Sequence, residues 1–284
     1  MRTMTIGCLG ALGAGFALAL SILPVSAASA PPSVRLYVFD CGQLDIQDIT
    51  PYQLKREEMA TNLMSVPCFL IAHPNGNLMW DVGAVPDSAI PNGGTGRLRQ
   101  YGTSNKKLET QLTETGYKPS DITYIAFSHF HWDHVGNANL FAGATWLTRE
   151  IERQQMFSDP PSPRTEPANF SKLKDSITVS ITGDYDIFGD GSVVIKASPG
   201  HSPGHQVLYV KLKNSGGVVL SGDLYHYPEE RNLKRVPSTE FDGKQTAQSR
   251  AEIENFLTQS KAQLWIQHDF NGMAKVKKSP GFYD

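Results

Sequence analysis

The sequence predicts an α/β protein in which two β-sheets are covered by helices. Three observations carry this. Short runs rich in β-branched and aromatic residues come in groups bounded by Gly, Pro and Asn. Helical periodicity falls between those groups and not throughout. No internal repeat or linker-like stretch divides the chain, so the elements belong to a single domain.

The chain opens with a segment of a different kind. Residues 1–27 hold one charge, Arg2, then the apolar run IGCLGALGAGFALALSIL and Pro24, and the small residues VSAASA continue to Ala30. That is the layout of a secretory signal peptide. Cleavage after Ala27 or Ala28 suits it better than after Ala30, since Pro31 would then follow the cut. The alternative is a retained anchor, because the run is close to the roughly 18 residues that a span needs. The signal reading predicts a periplasmic or secreted protein with no stable membrane association after cleavage, and residues 28–284 as one hydrolase-sized domain.

Residues 34–40 (VRLYVFD) read as a strand. Residues 66–73 and 77–81 flank Asn75-Gly76, a strong tight-turn signal, and read as a hairpin. Residues 106–116 carry Leu108 and Leu112 at helical spacing and stop at Gly116. Residues 121–127 (DITYIAF) form a strand that runs straight into a histidine cluster. A short strand over 144–148 and a helix over 149–157 follow, then a proline-rich loop over 160–167. Residues 192–197, 206–212 and 217–221 are three more strands. Residues 244–260 make an amphipathic helix, and 263–267 a last strand. Segment 43–64 carries much apolar surface for a loop and could cover a groove or dock on a partner subunit.

Composition narrows the function classes. With 26 basic against 28 acidic residues the formal charge is -2, which leaves no basic footprint and argues against nucleic acid as a partner. Of three cysteines, Cys8 leaves with the signal. Cys41 ends one predicted strand and Cys68 begins another. If those strands pair antiparallel a disulfide is geometrically possible, and two small buried thiols fit equally well.

Three of the eight histidines fall within Ser128-His-Phe-His-Trp-Asp-His134. Alternate residues of extended chain point the same way, so His129 and His131 can converge on one cation, while Asp133 and His134 can face a second. Imidazole nitrogen and carboxylate oxygen suit Zn²⁺. One loop cannot complete two sites. Three other predicted strands end in a suitable residue: His201 in ASPGH, Asp223 in VLSGD and His268 in LWIQH. An acid at the tip of an apolar strand is costly unless a cation neutralises it.

HxHxDH, then GHSPGH, then SGD, then a late His, resembles the ligand order of the metallo-β-lactamase superfamily across the whole mature chain. The resemblance implies an αββα sandwich with a dinuclear metal site at the sheet edge. It assigns His129, His131 and His201 to the first metal, Asp133, His134 and His268 to the second, and Asp223 to a bridge. It implies two Zn²⁺ per chain, with other divalent metals able to substitute. Two such cations suit hydrolysis of lactones, thioesters, β-lactams or phosphotriesters.

Flanking residues narrow the resemblance. Asp223 stands where β-lactamases carry Cys or nothing, and little chain is left for the helical domain of glyoxalase II. SHFHWDHVGN, SPGHSPGHQ and SGD, with LYVFDCG and MWDVG earlier, are similar to the zinc N-acyl-homoserine lactonases. This implies a lactone substrate, opened by attack on its ring carbonyl. A broad lactonase or esterase, or a phosphotriesterase of the methyl parathion hydrolase kind, is the alternative. Dimers are common in that family. Asp133 is the expected proton carrier to the leaving group. A Tyr three places after the bridging Asp is usual, but here His226 holds that position and Tyr225 the one before, so both are candidate substrate donors. His205 is expected to brace a ligand loop, His73 to be ordinary surface, and Trp132 either to pack or to wall the pocket.

Overall fold

Alternation builds the first sheet. In β1 (Arg35–Asp45), Leu36 and Val38 face one side and Tyr37 and Phe39 the other, and all four are buried. A strand buried on both faces needs a layer on each side. The computed structural model describes residues 30–284, so the expected signal over 1–27 lies outside the described residues.

The first sheet adds β2 (Leu63–His73), β3 (Gly76–Trp80), β4 (Gly96–Leu98), β5 (Gly102–Ser104), β6 (Tyr124–Ala126), β7 (Thr145–Thr148) and β8 (Thr178–Ser180). Its order is β4-β5-β1-β2-β3-β6-β7-β8. The second sheet comprises β9 (Tyr185–Asp186), β10 (Val193–Ala197), β11 (Gln206–Leu212), β12 (Gly216–Leu220) and β13 (Gln263–Trp265), in the order β13-β12-β11-β10-β9. Leu36, Val38, Phe69 and Ile71 of one sheet meet Ile195, Leu208, Val210 and Leu220 of the other in a shared core. Outside the first sheet, α1 (Leu108–Glu114) buries Leu108 and Leu112. Outside the second, α4 (Gly243–Ser260) buries Ile253 and Leu257 on Val207 and Val219. The layers run αββα, as the sequence predicts.

The differences from the sequence reading have local causes. Gly42, with φ +124°, makes a bulge that lets β1 resume beyond Asp40. The strand expected over 121–127 shortens because Pro119 starts a 3-10 turn whose Asp121 carboxylate accepts from Lys118 N–H at 3.1 Å. Two short helices, α3 (Pro228–Leu233) and α5 (Phe270–Lys275), add to the single helix predicted after Asp223. A two-residue strand, β14 (Phe282–Tyr283), pairs with β1.

Cys41 and Cys68 form a disulfide, with Cα atoms 5.8 Å apart on antiparallel β1 and β2. His73 is not surface: it is 2 % exposed, stacks on Phe188 at 3.9 Å and lies 3.0 Å from Asp190 through Nε2. It thereby links β2 to the second sheet's β9–β10 turn. Segment 43–64 folds inward, with Leu54 and Met59 in the core. Among the described residues no helix is long and apolar enough to cross a membrane.

Candidate metal centre

Four strand ends deliver the polar residues to one place. The loop after β6 carries His129 to His134, the turn after β10 carries His201, Asp223 follows β12, and His268 follows β13. Strands β10 and β12 run parallel to each other through β11, so their C-terminal ends share one edge. Gly222 makes the approach possible. Its φ is +48°, and a Cβ there would lie 2.5 Å from the Ser128 Cβ and 2.7 Å from His205 Nε2.

The seven predicted ligands fall into two groups that share Asp223. In the first, His131 Nδ1 lies 2.7 Å from His129 Nε2 and 3.0 Å from His201 Nε2. Asp223 Oδ2 is 3.2 Å from His201 Nε2 and 3.6 Å from His129 Nε2. In the second, Asp223 Oδ1 is 3.0 Å from His268 Nε2 and 3.1 Å from His134 Nε2. Asp133 Oδ2 is 3.5 Å from His268 Nε2 and 3.7 Å from His134 Nε2. One oxygen of Asp223 thus serves each group, which is what a bridging carboxylate requires.

The donor chemistry fits divalent cations. His134 Nε2 and Asp223 Oδ1 are buried and make no hydrogen bond, although they face each other. The opposite ring nitrogens are held from behind: His134 Nδ1 by Asp81 Oδ2 at 2.9 Å, His201 Nδ1 by Glu240 Oε1 at 3.0 Å, His268 Nδ1 by the Ser65 carbonyl at 2.8 Å and His129 Nδ1 by Ser128 Oγ at 3.1 Å. With those nitrogens as donors, Nε2 presents a lone pair inward. Burial, reinforced by neighbouring imidazoles, drives His129 and His131 well below the ordinary histidine value, which favours the neutral ring that a metal donor requires. Burial opposes ionisation of Asp223, but the surrounding histidines, His268 foremost, hold its carboxyl well below the usual range. At His134 and His201 burial disfavours charge, yet Asp223 with Asp81, and Glu240 with Asp223, raise both rings. These carboxylates draw positive charge into a buried space.

A cavity of about 230 Å³ opens onto the cluster. Leu44, Ile46, Tyr52 and Met64, all from segment 43–64, form an apolar wall with Trp132, which therefore both packs and lines the pocket. His226 also lines it. Its Nε2 is 3.3 Å from Asp223 Oδ2 and its Nδ1 is 3.2 Å from Glu230 Oε1. Burial works against its protonation, but Glu230 and Asp223 outweigh this and push it up to about 10. Tyr225 is not at the site, contrary to its candidacy as a donor. Its hydroxyl donates to Glu254 at 3.2 Å and Arg250 sits over its ring, because successive residues after the 3-10 turn Gly222–Leu224 leave on opposite sides of the backbone. His205 braces as expected. Its Nε2 accepts from Asp223 N–H at 2.9 Å and its Nδ1 faces the Ser198 carbonyl at 2.9 Å.

Several supporting residues carry little or no signal in the sequence. Asp81 was legible only as part of MWDVG. Glu240 lies in an irregular stretch without periodicity. Glu152, on α2 (Glu150–Met156), accepts from Phe130 N–H, Ser202 Oγ and Gly204 N–H and so ties the two ligand loops together.

A family model described as the Metallo-beta-lactamase superfamily matches residues 61–258, more than half of the chain. The chain belongs to the metallo-beta-lactamase superfamily. Within the superfamily it is similar to the N-acyl homoserine lactonase AttM of Azorhizobium caulinodans, 28% identical over 88% of this chain and 99% of the relative. It is also similar to an N-acyl homoserine lactonase of Bacillus cereus, 29% identical over 78% of this chain and 88% of the relative. Among solved structures, an N-acyl homoserine lactone hydrolase with N-hexanoyl-L-homoserine at its catalytic metal centre superposes with a TM-score of 0.74, at 23% identity over 88% and 99% of the two chains. AidC, a dizinc quorum-quenching lactonase, gives a TM-score of 0.63 at 19% identity, over 88% and 94%. These superpositions show that the chain shares its fold with both structures.

Proposed function

We propose that the protein is an exported, zinc-dependent N-acyl-homoserine lactonase that opens the lactone ring of a diffusible signal. The observation that carries this reading is the pairing of a complete seven-ligand cluster with near full-length similarity to lactonases. His129, His131, His201 and Asp223 would hold one Zn²⁺, and Asp133, His134, His268 and Asp223 the other. Two such ions supply Lewis-acid polarisation of the ring carbonyl and a water of lowered pKa.

The chain's own residues do the rest. His226, steadied at Nδ1 by Glu230, points Nε2 into the cavity and donates to an oxygen of the bound lactone. Asp133 carries a proton to the leaving alkoxide. Leu44, Ile46, Met64 and Trp132 exclude water and take the acyl chain. The disulfide supports export through residues 1–27, since such bonds persist in oxidising compartments.

Acid release from N-hexanoyl-homoserine lactone, with metal analysis on the same sample, tests the reading. We expect turnover and two zinc ions per chain. A phosphotriester and a β-lactam measured alongside separate the alternatives, and hydrolysis of either without lactone turnover overturns the proposal.

A further inference from the structure

The five imidazoles of the metal centre are not backed alike. His129, His134, His201 and His268 each turn their outer nitrogen to an oxygen. His131 faces a cation: its Nε2 lies 3.3 Å from Nη1 of Arg164. A neutral ring that gives Nδ1 to a metal carries its proton on Nε2. The two groups are then both donors, and Nη1 needs another acceptor.

The rest of Arg164 is fixed in place. Its Nη2 donates to the Thr239 carbonyl at 2.7 Å, and its own carbonyl accepts from Trp132 N–H at 3.0 Å. Arg99 braces the same loop, donating to the carbonyls of Pro163 at 2.8 Å and Thr165 at 3.2 Å. Arg99 also pairs with Glu166, whereas Arg164 makes no ion pair among the described residues. Arg164 lines the active cavity beside Trp132 and Thr239.

We propose that Arg164 binds substrate by donating to the amide carbonyl oxygen of the acyl arm, an inference that rests on the lactonase reading. Position selects that oxygen. Nε2 of His131 is on the far side of the ring from Nδ1, which belongs to the ligand cluster, so the guanidinium stands outside the reacting centre. A donor there reaches an acceptor several bonds from the ester, and in an N-acyl-homoserine lactone that acceptor is the amide. The chain beyond it meets Leu44, Ile46 and Met64.

The test compares N-hexanoyl-homoserine lactone with a γ-alkyl-γ-butyrolactone of similar length, which lacks the amide. In Arg164→Met, kcat/KM for the amide substrate should fall about 10- to 100-fold, mostly through KM, as for a lost hydrogen bond to a charged group. The alkyl lactone should change less than about twofold, and zinc content should stay as in wild type. Calorimetry with N-hexanoyl-homoserine should show the same weakening, and Arg164→Lys should recover part of both losses. Equal losses on the two lactones, or unchanged product binding, would overturn the assignment of Arg164 alone. Wild-type protein that hydrolyses neither lactone overturns the lactonase reading, and this assignment with it.

Discussion

The carboxylate of Asp81 accepts from Nδ1 of His134 at 2.9 Å. The same group accepts from Ser128 N–H at 2.7 Å, Ser128 Oγ at 2.9 Å and Gln267 Nε2 at 2.8 Å. One buried acid at the end of β3 therefore ties the ligand loop after β6 to the residue before His268. Asp81→Asn puts an N–H where the network needs an acceptor. Zinc affinity should fall about 10- to 100-fold. Competition with a chromophoric chelator measures it, and an affinity equal to wild type contradicts the role.

His226 and Tyr225 are neighbours that face different surroundings. His226→Phe removes a donor from the cavity, so kcat should fall on the order of 100-fold with two metals retained. Tyr225→Phe removes only the bond to Glu254 at 3.2 Å. It should leave kcat within about twofold and cost about 1 kcal/mol of stability. A large rate loss in Tyr225→Phe would restore Tyr225 as a catalytic candidate.

The contrast between these two residues marks what sequence could reveal. The seven candidate ligands were legible because each ends or follows a strand, where a buried His or Asp needs a partner or a cation. Tyr225 and His226 were not separable, since which way each points depends on the turn over 222–224 and the packing of α4. The burial of His73 leaves no trace in the sequence because its partner, Asp190, lies 117 residues away. Ser65 left no signal, since it holds His268 through a backbone carbonyl. The sheets were legible from alternation, but β14 is two residues long and only its pairing with β1 makes it a strand.

The disulfide closes a loop with a sequence separation of 27, and a Cβ on Gly83 would lie 2.8 Å from the Cys41 Cβ. Replacing both cysteines by alanine should lower stability by about 3 kcal/mol, chiefly by freeing the unfolded chain. Reductant should lower the wild-type melting temperature and leave that of the double variant unchanged. A reductant effect on the variant, or none on wild type, contradicts the prediction.

His205 sets a pH dependence. Burial, reinforced by His201, holds it down at about 3 against an ordinary 6.5. Its Nε2 must stay unprotonated to accept from Asp223 N–H at 2.9 Å. Between those two values the unfolded chain binds a proton that the native protein does not. The contribution is therefore full above pH 6.5 and is lost progressively as pH falls towards 3. His205→Gln keeps an acceptor and removes the titration. In chelator-treated protein, its unfolding free energy should depend on pH less steeply than that of wild type over this window, by up to one proton, about 1.4 kcal/mol per pH unit. Denaturant titrations at several pH values measure both slopes. Equal slopes would mean that His205 takes up its proton alike in the folded and unfolded states.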